Sequence, residues 1–171
     1  MSSFATLLVR ANGRWRGEEV EVDDCESVAD IADLAIDATG DVRLVLIEQD
    51  DEYAAIVRVD DDVDDARAFL SDGHAADNYP LAAVIAEDLV EIGDGEPGDD
   101  PDDEEGDDSD LEPPPAHDSS PFGDADIVED LGTSAAELLA MCAHEGTLPI
   151  DVLVAVCEKA GCADTFDELR A

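Results

Sequence analysis

The sequence predicts an α+β fold with three parts: a small two-layer antiparallel sheet domain with helices on one face, an acidic disordered linker, and a C-terminal helical subdomain. Short apolar segments bounded by turn residues fill the first half, apolar positions recur at helical spacing in both halves, and an acidic run separates the halves. We place the α+β domain at residues 1–92, the linker at 93–124 and the helical subdomain at 125–171.

The chain begins with a predicted hairpin. Two strand-like segments, 4–10 and 15–22, are separated by Asn12-Gly13, a dipeptide that tolerates the positive φ angles of a tight turn. A helix is predicted next, because Ser27 and Asp30 have the spacing of a capping box and apolar residues recur at i, i+3, i+4 and i+7. These apolar residues are Ile31, Leu34, Ala35 and Ala38, followed by Gly40.

The segment VRLVLIE, residues 42–48, is too continuously apolar for a strand with one solvated face, so it is predicted to be central in the sheet. After the turn 49–52, residues 53–59 form its antiparallel partner, and ARAFLSD at 66–72 is a further short strand. Pro80 suits the first turn of a helix that buries Leu81, Val84, Ile85 and Leu89.

Residues 94–110 contain 11 acidic residues and almost nothing to bury, so they cannot offset the entropy lost on ordering. We interpret this segment, extended to about Gly123, as a disordered linker. Beyond it, Ser134 and Glu137 form a predicted capping box, and three helices follow. Their apolar positions are Ala135, Leu138, Leu139 and Cys142, then Val152, Leu153, Val156 and Ala160 before Gly161, and finally Phe166 and Leu169. Whether they pack on each other, on the sheet or on a partner stays open.

Charge is the strongest functional signal, since 8 basic against 48 acidic residues give a net charge of −40. No region is basic, and nucleic acids are held chiefly by Lys and Arg, so direct nucleic-acid binding is not expected. Such a field repels anionic membranes and attracts basic protein surfaces. A role in solubility alone is the alternative interpretation.

Four residues could be imagined as zinc ligands: Cys142, His144, Cys157 and Cys162. Their C-x-H and C-x4-C spacing matches no common structural zinc site, and Cys142 and Cys157 fall on predicted apolar faces, which favours packing. Asp60, Asp62 and Asp64 imitate the start of a calcium loop, but Asp65 and Ser71 replace the required glycine and glutamate. We predict no metal site and no cofactor.

Catalytic residues are also not predicted. His117 lies in the linker and His74 in a turn-like stretch, while Lys159 is the single lysine and neither phosphate-binding glycine motif occurs. Trp15, flanked by Arg14 and Arg16, is more simply explained as an anchor of the sheet than as a stacking platform. The N-terminus has no secretory pattern and no segment is apolar enough to span a bilayer, so we expect a cytoplasmic protein.

Four segments carry a likeness to a known family: EQDDEYAAIVRVDDD (48–62), ARAFLSD (66–72), the acidic linker and DLGTSAAELLAMCAHEGTLPIDVL (130–153). In their order and spacing they resemble the tRNA adenosine deaminase-associated proteins of bacteria, and the similarity covers nearly the whole chain. The resemblance implies a working relationship with the enzyme that makes inosine at the tRNA wobble position. The chain itself lacks the H-x-E and P-C-x-x-C strings of such a deaminase, so no catalytic residue is carried over.

The leading hypothesis is a non-catalytic acidic accessory or regulator of a basic RNA-modifying enzyme, the tRNA adenosine deaminase being the suspected partner. A second hypothesis is a nucleic-acid mimic that inhibits another basic protein through the linker. A third is an enzyme that uses clustered carboxylates and a divalent metal. The sequence leaves open the oligomeric state and whether the partner is activated, inhibited or stabilised.

Overall fold

The computed structural model describes residues 3–60, 66–93 and 121–170. Its strands are β1 (Ser3–Ala11), β2 (Arg14–Glu19), β3 (Val42–Gln49), β4 (Tyr53–Val59), β5 (Arg67–Leu70) and β6 (Phe122–Gly123). They form one antiparallel sheet in the order β2-β1-β3-β4-β5-β6. The helices are α1 (Val28–Ile36), α2 (Pro80–Gly93), α3 (Ala135–Ala143), α4 (Pro149–Ala160) and α5 (Ala163–Arg170), with short 3-10 helices at Gly73–Asp77 and Glu129–Leu131.

Two tight turns fix the register of the β1–β2 pair and of the β3–β4 pair. Asn12 and Gly13 have φ angles of 52° and 76°, and Ala11 faces Arg14 across the hairpin, as Asn-Gly predicts. The β3–β4 turn is closed by Asp50 and Asp51, both with positive φ. The predicted hairpin and the antiparallel pairing of β3 with β4 are therefore confirmed.

One face of the sheet, here called the N-terminal face, packs against α1 and α2. Strand residues such as Leu7, Val45 and Ile47 point toward these helices, since side chains alternate along a strand. The helices bury both large and small residues against them: Val28, Ile31, Ala32 and Ala35 from α1, and Leu81, Ala82, Ile85 and Ala86 from α2. Half of the predicted capping box is present, because the Ser27 hydroxyl accepts a hydrogen bond from the Asp30 amide, whereas the Asp30 carboxylate accepts from the Glu26 amide.

The opposite face, here called the C-terminal face, packs against α3, α4 and α5. Leu8, Leu44, Leu46, Ile56 and Phe69 of the sheet form one core with buried residues of the last third of the chain. Those residues are Ile127, Val128, Leu131, Leu138, Val152, Leu153, Val156, Cys157, Cys162 and Phe166. The C-terminal helices thus dock on the sheet, which answers a question that the sequence left open.

The predicted α+β class with an antiparallel sheet and C-terminal helices is confirmed. The two layers expected for the first part become three, because the C-terminal helices cover the second face. Gly93 ends α2, and Phe122–Gly123 pairs with β5 inside the range 93–124 predicted as linker. The prediction of disorder concerns mainly residues 94–120, which lie outside the described residues.

One predicted apolar position was wrong. Leu139, assigned to the buried face of α3, is 41% exposed, whereas Leu138 beside it is fully buried. Helix α3 lies at the periphery of the C-terminal layer and contacts α4, so only a narrow stripe of it is covered. Leu139 therefore belongs to the surface.

Candidate interaction surface

Two of the basic residues, Arg43 and Arg58, are buried in the fold. Arg43 on β3 is 8% exposed, and its guanidinium donates to the carbonyl oxygens of Ala35, Ile36 and Ala38 at the end of α1. It also donates to the Asp60 carbonyl oxygen at 2.6 Å. Cations stabilise the carbonyl end of a helix, so Arg43 acts as a buried C-terminal cap.

Arg58 on β4 is also buried, but its side chain lies on the C-terminal face of the sheet. Its guanidinium binds both carboxylate oxygens of Asp130, the Asp60 carboxylate at 2.8 Å and the Ile127 carbonyl oxygen at 2.8 Å. Bidentate arginine–carboxylate pairs are strong and directional. Hydrogen bonding from Arg58 holds the pKa of Asp130 below its usual value, and the same bonds raise the pKa of Arg58.

Trp15 links the edge strand β2 to the last helices. Its indole Nε1 donates to the Ala160 carbonyl oxygen at 3.1 Å, and Arg10 stacks over its ring at 5.8 Å from the centroid. The ring packs against the core of the C-terminal face. The structural interpretation of Trp15 as an anchor is confirmed.

Among the described residues, the remaining cations also form ion pairs or hydrogen bonds, except Arg14, which is exposed. Arg67 pairs with Asp60 and Asp124, Lys159 with Glu137, and Arg170 with Asp167, while Arg16 donates to the Thr39 carbonyl oxygen. Most of the 8 Lys and Arg side chains are therefore already paired within the protein, whereas the chain has 48 Asp and Glu. The surface that a partner meets is consequently dominated by carboxylates.

Carboxylates are concentrated at the end of the sheet where β3 turns into β4. Glu48, Asp50, Asp51 and Glu52 lie together in or beside this turn, and Asp72 follows β5 at the same end. Partial burial raises the pKa of Glu48, and neighbouring Asp51 and Asp50 raise it further, although a hydrogen bond from the Asp51 amide opposes this. Mutual repulsion of this kind is relieved when a cationic group approaches.

The fold brings two of the four candidate zinc ligands together, because the side chains of Cys157 and Cys162 are hydrogen-bonded to each other. Cys157 and Cys162 are buried in the core, Cys142 is half-buried on α3, and His144 is exposed with its Nδ1 3.2 Å from the Thr147 hydroxyl. Burial raises the pKa of the Cys142 thiol to about 11, so it is protonated at neutral pH. Within the described ranges, no group of three or more His, Cys, Asp or Glu side chains is arranged to hold a metal ion.

The other sequence candidates are only partly described. Asp60 pairs with Arg58 and Arg67, whereas Asp62, Asp64 and His117 lie outside the described residues. His74 is exposed on a 3-10 helix, where its amide donates to the Asp72 carboxylate at 2.9 Å. None of the helices in the described part of the chain is long and apolar enough to cross a bilayer.

Comparison with known proteins adds one decisive observation. A family model described as Rv3753c-like tRNA adenosine deaminase-associated protein matches residues 3–163. The chain belongs to this family. The match runs from β1 into the start of α5, so the family spans both faces of the sheet and confirms the resemblance drawn from the sequence.

No curated protein and no solved structure matched the chain. The family description names an association with a tRNA adenosine deaminase, and this is consistent with an accessory protein. The sequence signal that carried the family was the order and spacing of its segments. The two buried arginines were missed, because their partners are set by the docking of the C-terminal face.

Proposed function

We propose that this member of the deaminase-associated family is a non-catalytic acidic accessory or regulatory protein that binds the tRNA adenosine deaminase directly. The observation that supports it most is the arrangement of charge: Arg43 and Arg58 are buried, most other cations are paired, and carboxylates remain outside. An enzyme that binds tRNA presents basic residues to phosphates. The two surfaces are complementary, and the association rate is increased by that attraction.

Binding at a basic RNA-binding surface has a mechanistic consequence. The acidic protein and tRNA compete for the same cationic groups, so the accessory protein controls how readily tRNA reaches the enzyme. The cytoplasm is the expected place for this encounter, since tRNA modification takes place there.

Titration of the purified deaminase with this protein tests the proposal. We expect a complex at low ionic strength that weakens steeply as salt screens the charges, and displacement of the protein by added tRNA. A deaminase that forms no complex at low salt contradicts the proposal.

The nucleic-acid mimic remains as a competing function and makes a different prediction. Residues 94–120 contain acidic residues but no Lys or Arg. Replacing them by a neutral Gly/Ser segment of equal length removes this charge while keeping the described sheet and helices. An accessory protein that docks through its folded part retains most of its affinity, whereas a mimic that acts through the linker loses it.

A further inference from the structure

A small groove lies on the C-terminal side of the sheet, between the β3–β4 turn and the connection from α3 to α4. Its volume is about 160 Å³. Asp51, Glu52 and Asp72 form one wall, and Cys142, Leu148 and Val152 contribute apolar surface opposite them. None of its lining residues, all within the described part of the chain, is Lys or Arg.

The apolar side of this groove is unusually exposed for this protein. The large apolar residues left exposed in the described ranges are Ile36, Leu139 and Leu148, and Leu148 is the most exposed at 47%. Leu139 precedes Cys142 by three residues on α3, so the two side chains lie on the same side of the helix. A short apolar stripe therefore leads from α3 into an acidic groove.

The walls of the groove are preformed. The Glu52 amide donates to the Gln49 carbonyl oxygen at 2.9 Å, and the Ser71 hydroxyl accepts from the Ala54 amide at 2.8 Å. On the other side, the Leu148 amide donates to the Asp151 carboxylate at the start of α4. A preformed site pays little ordering entropy when it binds.

We propose that this groove receives a basic amphipathic segment of the partner enzyme, with one apolar side chain seated beside Leu148 and flanking Lys or Arg side chains paired with Asp51, Glu52 and Asp72. The assignment rests on the proposed function and names its contact surface. A cavity of about 150 Å³ in a protein accepts a benzene-sized group, so one apolar anchor fits. The carboxylate wall selects cations around it.

Other occupants are disfavoured by charge. A second copy of this chain has a net charge of −40, and the segment 94–120 of the same chain has acidic residues without a compensating cation. Both are repelled by the carboxylate wall. One larger groove between β2 and α1 is lined by Arg16 as well as Glu18 and Asp37, so it does not select one sign of charge. The acidic depression beside it, lined by Glu19, Val20, Glu21 and Leu34, is flatter than the groove at Leu148.

Two variants with matched controls test the groove. Leu148→Ser removes the apolar anchor point, and Ile36→Ser removes a comparably exposed side chain from the N-terminal face. Glu52→Lys reverses the charge at one position of the carboxylate wall, and Glu87→Lys makes the same change at an exposed position of α2. We expect each groove variant to weaken deaminase binding roughly tenfold, as for a central contact residue, while the controls bind like the wild type.

A peptide experiment separates this inference from the proposed function. A synthetic helical peptide of Leu and Lys is titrated into the full chain and followed by NMR, beside a Ser and Lys peptide of equal charge. We expect only the Leu-containing peptide to shift Leu148 and Val152, and Leu148→Ser to abolish these shifts. Equal, scattered shifts with both peptides overturn the groove assignment.

The deaminase titration then has distinct outcomes. If the enzyme binds and the groove variants match their controls, the groove is wrong and the proposed function stands. If the enzyme does not bind at all, the proposed function is wrong, and the peptide result alone decides whether the groove is a site for basic segments.

Discussion

Each face of the sheet buries one arginine, and the two differ in what they contact. On the N-terminal face Arg43 binds only carbonyl oxygens, those of α1 and of Asp60. On the C-terminal face Arg58 binds two carboxylates, Asp60 and Asp130, besides the Ile127 carbonyl oxygen. The first arginine caps a nearby helix, whereas the second joins parts of the chain that are 72 residues apart.

The comparison teaches how the two layers are attached. The helices α1 and α2 of the N-terminal layer are joined to sheet strands by short connections in the chain. The polar contacts of this layer include neutral carbonyl acceptors, which do not titrate. The C-terminal layer is reached only across residues 94–120, and it is held in place by an ion pair and by the Trp15 hydrogen bond over long sequence distances. Low pH and mutations in the edge strand β2 should therefore destabilise the C-terminal layer before they destabilise the rest of the fold.

The largest expected loss of stability comes from replacing one large buried side chain of each core by alanine. Phe166 is fully buried on the C-terminal face and stacks edge-on against Phe4, and Ile31 is fully buried on the N-terminal face. We expect Phe166→Ala to lower the free energy of unfolding by about 3–5 kcal/mol and Ile31→Ala by about 2–5 kcal/mol.

Both variants should still unfold in one transition, because β3 supplies Leu46 to one core and Ile47 to the other. Trp15 fluorescence reports on the C-terminal face, and far-ultraviolet circular dichroism reports on the whole fold; coincident curves indicate cooperativity. If fluorescence changes before circular dichroism in Phe166→Ala, the C-terminal layer is a separate unit.

Gly17 on β2 allows α5 to approach the sheet. A Cβ at this position would lie 2.7 Å from Leu169 Cδ1 and 2.8 Å from Leu8 Cδ2. We expect Gly17→Ala to cost about 1–3 kcal/mol, the usual penalty for overpacking, as measured by denaturant unfolding. Adding Leu169→Ala should recover part of the loss. If the losses in unfolding free energy of the two single variants simply add in the double variant, close packing of α5 is not the cause of the Gly17→Ala effect.

Asp130 makes the C-terminal attachment sensitive to pH. Because its folded pKa is lowered, chiefly by the hydrogen bonds from Arg58, its contribution is present above the unfolded pKa of about 3.9 and is lost as pH falls through the lower folded pKa. Asp130 is 57% exposed, so solvent screening keeps the effect of Asp130→Asn near 1 kcal/mol at neutral pH.

The difference between wild type and Asp130→Asn should begin to shrink as the pH falls below the unfolded pKa of about 4, and it should disappear only below the lowered folded pKa, where both side chains are uncharged. Urea unfolding at a series of pH values measures this difference. Glu129→Gln, which neutralises an exposed neighbour outside the Arg58 contact, is the control. A difference that stays constant with pH would show that the ion pair is not its source.

Much of the fold followed from local sequence signals. Asn12-Gly13 predicted the hairpin turn and Ser134 with Glu137 the capping box, because both depend on residues close in sequence. The continuous apolar run of β3 required burial on both faces, and the C-terminal helices supply the second cover. Leu139 was misplaced, since helical periodicity does not reveal how wide a stripe the neighbouring helix covers.

The sign of the charge on the candidate surface was predictable from the sequence, but the position of the surface on the fold was not. Net charge indicated a basic partner, whereas the roles of Arg43 and Arg58 depend on which carbonyls and carboxylates the tertiary fold brings to them. The groove beside Leu148 has the same origin, because its walls come from the β3–β4 turn, the end of β5, the end of α3 and the start of α4. No local pattern relates these four segments.

The smallest expected effect compares one hydrogen bond on each face. Trp15→Phe removes the donor to the Ala160 carbonyl oxygen, and Tyr53→Phe removes the hydroxyl that donates to Gln49 at 2.8 Å. Each should cost about 1 kcal/mol, the net worth of a typical buried hydrogen bond. The two should differ in hydrogen exchange: Trp15→Phe accelerates exchange in α4 and α5, because Trp15 joins them to the sheet, whereas Tyr53→Phe affects the β3–β4 hairpin. Equal acceleration in both places would mean that the C-terminal layer is no more easily detached than the rest of the molecule.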